Sequence, residues 1–286
     1  MKPTLLQAAL AEVLGTFLLI LFGCGAVHAA VLTGAQSGLW QVAIVWGVAI
    51  MLAAYVCGGI SGAHINPAIT IALALWGRFD WNRVPVYIVA QLGGAMLAAA
   101  VLFVLYGPLL AKKEQDKNVL RGELGSILTA TCYGEYYPAP GGLAAGEQDF
   151  QKDEWTMLAS TVPFHVAFIA EILGTAMLAL VVFAVTDPRN TSGPPPALAP
   201  VFIGLCVAIL ISIIAPLTQA CFNPARDFGP RLFAYFAGWG EAAIPGPNGH
   251  GFFTVYILAP IIGAAAGGGL YERVLRNFLP RTNQQL

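Results

Sequence analysis

The sequence predicts an all-α membrane protein with six transmembrane helices and two re-entrant half-helices, built as an inverted internal repeat. Three observations predict it. Of the 286 residues, 57% are hydrophobic and only 10% are charged, against about 25% charged in a typical soluble domain. The tripeptide Asn66-Pro67-Ala68 returns as Asn223-Pro224-Ala225, 157 residues on. The hexapeptide Ala11-Glu12-Val13-Leu14-Gly15-Thr16 returns as Ala170-Glu171-Ile172-Leu173-Gly174-Thr175, 159 residues on. Agreement of the two offsets marks the halves as copies. Three spans per copy is an odd number, so the second copy enters the membrane from the opposite side.

Apart from Glu12 and Glu171, six long segments carry no Asp, Glu, Lys or Arg, and each contains a span. Span 1 is expected over about 5–32, retained because no convincing cleavage site follows Lys2. A Gly/Ser turn at 34–38 leads into span 2, about 39–60. Asn66 then reads as an N-cap with Pro67 at the first helical position. From there to Arg78 there is room for about 10–15 residues, roughly 15–22 Å, half of a hydrocarbon core about 30 Å thick. Span 3 covers about 84–106, and the long polar segment from Lys112 to Glu154 is read as a loop without a core of its own. Spans 4 and 5 cover about 162–185 and 197–216, the second half-helix begins at Asn223, and span 6 covers about 252–275. The chain is thus one channel domain over 1–286, with a first repeat at 5–111, an extracellular loop at 112–156 and an inverted second repeat at 157–275.

A helix that starts halfway across a bilayer leaves unpaired N–H groups, which is tolerated only inside protein or along a water-filled cavity. Two half-helices meeting N-terminus to N-terminus therefore imply a lined pathway. If the Asn66 and Asn223 side-chain oxygens cap their own helices, their amide NH₂ groups are left to donate into it. Each helix start also carries roughly half a positive elementary charge, which repels cations and protons and favours a neutral polar solute. Net charge is −1, which points to no nucleic-acid partner. No cofactor or metal is expected, and the five scattered cysteines suggest packing rather than a disulfide framework. Lys2, Arg78, Arg83, Arg189, Arg273, Arg276 and Arg281 fall on one side, which puts both termini in the cytoplasm.

Arg226 is a cation in an apolar stretch, and such residues are functional by default. The alternative is a structural pair with Asp227 or a carbonyl. Because Asp227 and Arg231 are spaced i,i+4, they form the more natural pair and leave Arg226 for the lumen. Glu12 and Glu171 are read as acceptors for backbone donors of the loops before each half-helix, with a proton relay as the alternative. His64 either lines the pathway or holds its loop. Trp46, in mid-span, is by position a packing residue.

With both triplets, the duplicated Glu-x-Leu-Gly-Thr, Ser61-Gly62-Ala63-His64 and the run Asn223 to Arg231 in hand, the chain resembles the major intrinsic proteins, most closely their glycerol-facilitator (aquaglyceroporin) branch. The resemblance runs from about Ala8 to Leu275, and Asp227, Arg231 and the long loops are features of that branch. It implies a passive channel for glycerol, water and other small neutral solutes in a plasma or inner membrane, a homotetramer in lipid with one pore per subunit, and no enzymatic activity. It also implies a ladder of carbonyls from Gly62, Ala63, His64, Gln219, Ala220 and Cys221, and a narrowest point at Trp46, Ile211, Ala220 and Arg226. Two of those four depart from the glycerol pattern: Ile211 stands for the usual glycine and Ala220 for the usual aromatic. Tyr256-Ile257 likewise replaces a proline-leucine pair. An ion- or proton-coupled transporter of small polyols also uses inverted repeats and broken helices, but needs ionisable groups at the midplane, where Glu12, Glu171 and Asp227 are the carboxylates on offer. An intramembrane enzyme finds no Ser/His, Asp/Asp or HExxH arrangement in matched spans.

Overall fold

In a computed structural model, residues 3–36, 38–139 and 159–280 are described. Six helices there are long and apolar enough to cross a membrane. The first repeat supplies α1 (Leu5–Thr33), α2 (Leu39–Ser61), the half-helix α3 (Pro67–Leu75) and α4 (Val84–Asp116). The second supplies α5 (Phe164–Val185), α6 (Ala199–Thr218), the half-helix α7 (Pro224–Ala234) and α8, which runs as Gly251–Phe253, a π-helical stretch Thr254–Leu258 and Ala259–Arg273. Outward faces carry exposed Leu6, Val89, Val104 and Ile213, a surface suited to lipid and not to water. The protein is an integral membrane protein.

Local chemistry sets the ends. Thr4 and Gln7 form a capping box at the start of α1, and Gly34 closes it at φ 67°, where only glycine sits without strain. One sequence expectation needs correcting. Lys112 does not start the polar loop, because α4 continues to Asp116, with Lys112 Nζ 2.7 Å from Asp116 one turn on. Charge there marks where the helix leaves apolar surroundings and not where it ends. Residues 140–156 of the expected loop lie outside the described residues.

Packing follows the repeat. Helix α1 packs on α4 as α5 packs on α8, and each half-helix packs on the last span of the other repeat, α3 on α8 and α7 on α4. Small residues allow this. A Cβ on Gly94 would strike the Val13 carbonyl, and one on Gly263 would strike the equivalent Ile172 carbonyl. At the centre α2 crosses α6, where a Cβ on Gly47 would come within 2.6 Å of the Gly204 carbonyl and the reverse substitution would strike Gly47. These approaches bring the two half-helix N-termini together.

Candidate functional site: a lumen through the two half-helices

Asn66 Oδ1 accepts from the backbone N–H groups of Ala68 (2.9 Å) and Ile69 (3.4 Å), and Asn223 Oδ1 from those of Ala225 (3.0 Å) and Arg226 (3.3 Å). Each asparagine thus caps its own half-helix. The amides are only half free: Asn66 Nδ2 donates to the Phe222 carbonyl at 2.9 Å and Asn223 Nδ2 to the Ile65 carbonyl at 2.8 Å. These reciprocal bonds tie each cap to the loop of the other repeat. One N–H of each amide remains.

The loops ahead of both caps are strained alike. Gly62, Ala63 and Ile65 have φ of 89°, 51° and 43°, and their equivalents Gln219, Ala220 and Phe222 have 64°, 60° and 52°. Left-handed backbone costs a non-glycine residue on the order of 1–2 kcal/mol, so something must hold it. Glu12 accepts from Ser61 Oγ (2.6 Å), His64 N (2.9 Å), Ile65 N (2.7 Å) and Gln91 Nε2 (2.7 Å). Glu171 accepts from Thr218 Oγ1 (2.6 Å), Cys221 N (3.0 Å) and Phe222 N (2.9 Å). Both carboxylates are fully buried, and hydrogen bonds to a charged acceptor contribute about 1.5–3 kcal/mol each. Gly15 and Gly174 seat the side chains of Ile65 and Phe222, since a Cβ at either would overlap them. The Phe222 and Ile65 carbonyls are taken by the opposite asparagine amides, and the 62–66 and 219–223 loops otherwise border open space.

Two adjoining cavities make up that space. A cavity of about 340 Å³ is lined by the 62–66 loop, Arg78 and Thr186, and a neck of about 40 Å³ is lined by Trp46, Glu135, Ile211, the 219–223 loop and Arg226. Six residues line both: Leu19 and Leu178, Ile50 and Val207, Asn66 and Asn223, three repeat-related pairs. The junction therefore sits where the half-helices meet. His64 lines the wider cavity, with Nδ1 3.2 Å from Thr70 Oγ1 and its ring against Phe79 and Tyr87, so it both faces the space and braces its loop.

A model of the family described as "Major intrinsic protein" matches residues 1–271. The chain belongs to the major intrinsic protein family. Among curated relatives, the "Glycerol uptake facilitator protein" of Pseudomonas aeruginosa is 42% identical over 278 residues, 97% of this chain and 92% of that one. The protein of the same name from Haemophilus influenzae is 39% identical, over 98% of each chain. The "Propanediol uptake facilitator PduF" of Citrobacter freundii is 39% identical over 98% of this chain and 96% of its own. In fold the chain is similar to the aquaglyceroporin from Plasmodium falciparum, with a TM-score of 0.78 at 23% identity over 95% of this chain and 97% of that one.

In this major intrinsic protein Arg226 lines the neck, as expected, and it is paired as well. Its Nε lies 2.7 Å from Glu135 Oε1, its Nη1 donates to the Tyr133 carbonyl at 3.3 Å, and its guanidinium carbon stacks 4.4 Å over the Trp46 ring. Asp227 and Arg231 do form the i,i+4 pair, two-pronged at 2.8 and 2.9 Å. The pair has a second task, which it shares with Gln219. Asp227 Oδ1 accepts the Glu135 N–H at 2.7 Å, Arg231 Nη2 donates to the Glu135 carbonyl, and Gln219 Oε1 accepts the Tyr136 N–H at 2.7 Å. Burial, the largest influence, holds the Glu135 carboxyl well above the usual carboxylate range, and the Arg226 guanidinium 2.7 Å away offsets this only in part. No sequence signal singled out Glu135, one of eight carboxylates in a polar segment.

Proposed function

We propose that this major intrinsic protein is a passive channel for glycerol that also conducts water and other small neutral solutes while excluding protons and ions. The observation that carries the reading is the junction of wide cavity and neck at Asn66 and Asn223, with hydrocarbon from Leu19, Ile50, Leu178 and Val207 beside it. A polyol has the same two-sided character. Its CH groups slide along hydrocarbon, while its hydroxyls exchange water for the free amide N–H groups, the Arg226 donors and the carbonyls of Gly62, Ala63, His64, Gln219, Ala220 and Cys221. A hydroxyl left without a partner there would cost about 1–3 kcal/mol, so the polar strip must be continuous. Trp46, Ile211, Ala220 and Arg226 are assigned as the selectivity filter. Glu12 and Glu171, already occupied by loop N–H groups, are assigned as structural; Asp227 is taken up by Arg231 and Glu135 by Arg226, so a coupled transporter finds no unpaired carboxylate among these four. Glycerol as the permeant is supported by the names of the relatives, a homotetramer by the family resemblance, and a plasma or inner membrane location with cytoplasmic termini by the arginine asymmetry.

Stopped-flow light scattering on proteoliposomes tests this. Glycerol influx should be linear in its gradient, much faster than in protein-free vesicles, and independent of pH and sodium gradients. Uphill accumulation driven by either ion would replace the channel by a transporter.

A further inference from the structure

Three positive features converge on the neck. The N-termini of α3 and α7 each carry roughly half an elementary charge, and Arg226 adds a full one. Among the described residues, Glu135 is the single carboxylate lining either cavity. Asp227 is turned to Arg231 and to the Glu135 backbone. A cation is repelled by this arrangement. A small anion is not: Arg226 and two helix N-termini make the kind of site that anions seek.

From this we infer that Glu135 is the counter-charge that closes the neck to small inorganic anions, a specificity-determining residue whose role rests on the channel reading above. Its placement is built. The strap from Tyr133 to Tyr137 is pinned by backbone atoms, with Asp227 on the Glu135 N–H, Arg231 on the Glu135 carbonyl and Gln219 on the Tyr136 N–H, and Gln219 Nε2 is itself anchored on Thr131 Oγ1 at 2.7 Å. The Glu135 side chain is fully shielded from solvent, and neither of its oxygens accepts an aligned hydrogen bond from the protein. What it supplies is charge, 2.7 Å from Arg226 Nε. Paired, the two side chains present a dipole whose field falls away within a few ångströms; alone, Arg226 would leave the neck a net anion attractor. The Asp227–Arg231 pair then acts as a positioning device for a charge it does not itself bring to the lumen.

The test uses the full-length protein in liposomes loaded with a chloride-sensitive dye, with potassium and valinomycin carrying compensating charge, and glycerol influx measured on the same vesicles. Glu135→Gln keeps shape and removes charge, and Glu135→Ser is a smaller neutral replacement. Because the strap is held by backbone groups, both should assemble, as glycerol influx will report. Chloride and nitrate flux should rise roughly tenfold over the native channel in both variants. The double variant Glu135→Gln with Arg226→Gln, neutral again, should return to within about twofold of native. Native anion flux in glycerol-conducting single variants would overturn the inference alone, as would a double variant that leaks like the single ones, since that leak would come from widening and not from charge. Absence of glycerol influx in native vesicles would overturn the channel reading and the inference with it.

Discussion

At the neck, Ile211 comes from α6 and Ala220 from the loop before α7, and both line the same constriction of about 40 Å³. The pairing reads as a volume exchange, with bulk moved from the loop to the helix. Ala220→Phe should overfill the neck and suppress glycerol influx more than water influx, because a carbon backbone cannot thread where a single water can. Adding Ile211→Gly should restore glycerol, and the stopped-flow ratio of the two solutes measures it. Unchanged glycerol influx in Ala220→Phe would mean the two do not share the lumen. Glu12→Gln and Glu171→Gln should act on stability first. Each keeps one acceptor and turns the other into a donor facing donors, which should cost about 1–2 kcal/mol and lower the melting temperature by a few degrees, followed by thermal denaturation in detergent. Normal melting with abolished flux would make them part of the conduction path. Both glutamates and both asparagines were legible in the sequence because duplication singles them out. Glu135 was not, since its significance depends on a fold that brings its loop onto Arg226.

Helices α2 and α6 meet through Gly47 and Gly204, and that crossing joins the two repeats along the lumen they share. Each glycine sits against the other's carbonyl, so a single methyl group has nowhere to go without separating the helices. Gly47→Ala and Gly204→Ala should each destabilise by about 1–3 kcal/mol, the usual cost of overpacking. The double substitution should cost less than the sum, because once the helices have parted the second methyl meets open space. Additive or negligible losses would show that the crossing is looser than the distances say. At this scale the sequence was read well wherever periodicity and caps agree, as in the half-helices, where Asn-Pro sets the start. It is misleading at the end of α4, where the charges of Lys112 and Glu114 suggest a loop, although Glu114 is buried against Arg121 at 2.8 Å.

Across the whole molecule the two repeats are locked at the Arg-rich end by a cluster that draws on both. Asp187, just past α5, is buried and accepts the Arg189 N–H at 2.9 Å, the Tyr271 hydroxyl at 3.2 Å and Arg78 Nη2 at 3.4 Å, and it forms an ion pair with Arg276, whose Nε lies 2.8 Å away. Arg78 follows the first half-helix, lines the wide cavity, and also pairs with Glu272 while lying over the Phe183 ring. One carboxylate therefore ties the first repeat to both ends of the second, at the cavity mouth. Burial alone would raise the Asp187 carboxyl, but the Arg189 N–H, Arg276 and Arg78 outweigh it and hold it below the usual value of 3.8. A carboxyl depressed in the folded state contributes stability that is present above its unfolded value and lost as pH falls through the folded one. Asp187→Asn should therefore lower the melting temperature at neutral pH, by an amount corresponding to about 2 kcal/mol since two of its partners keep some access to water. The gap between variant and native protein should stay constant from pH 8 to about 5 and close only under stronger acid, where the native carboxylate also takes a proton. A gap that closes between pH 7 and 6 would assign the cluster's work to a histidine instead. If the melting temperature holds while glycerol influx falls, Arg78 is being held for the lumen, and its anchor at Asp187 sets the shape of the mouth.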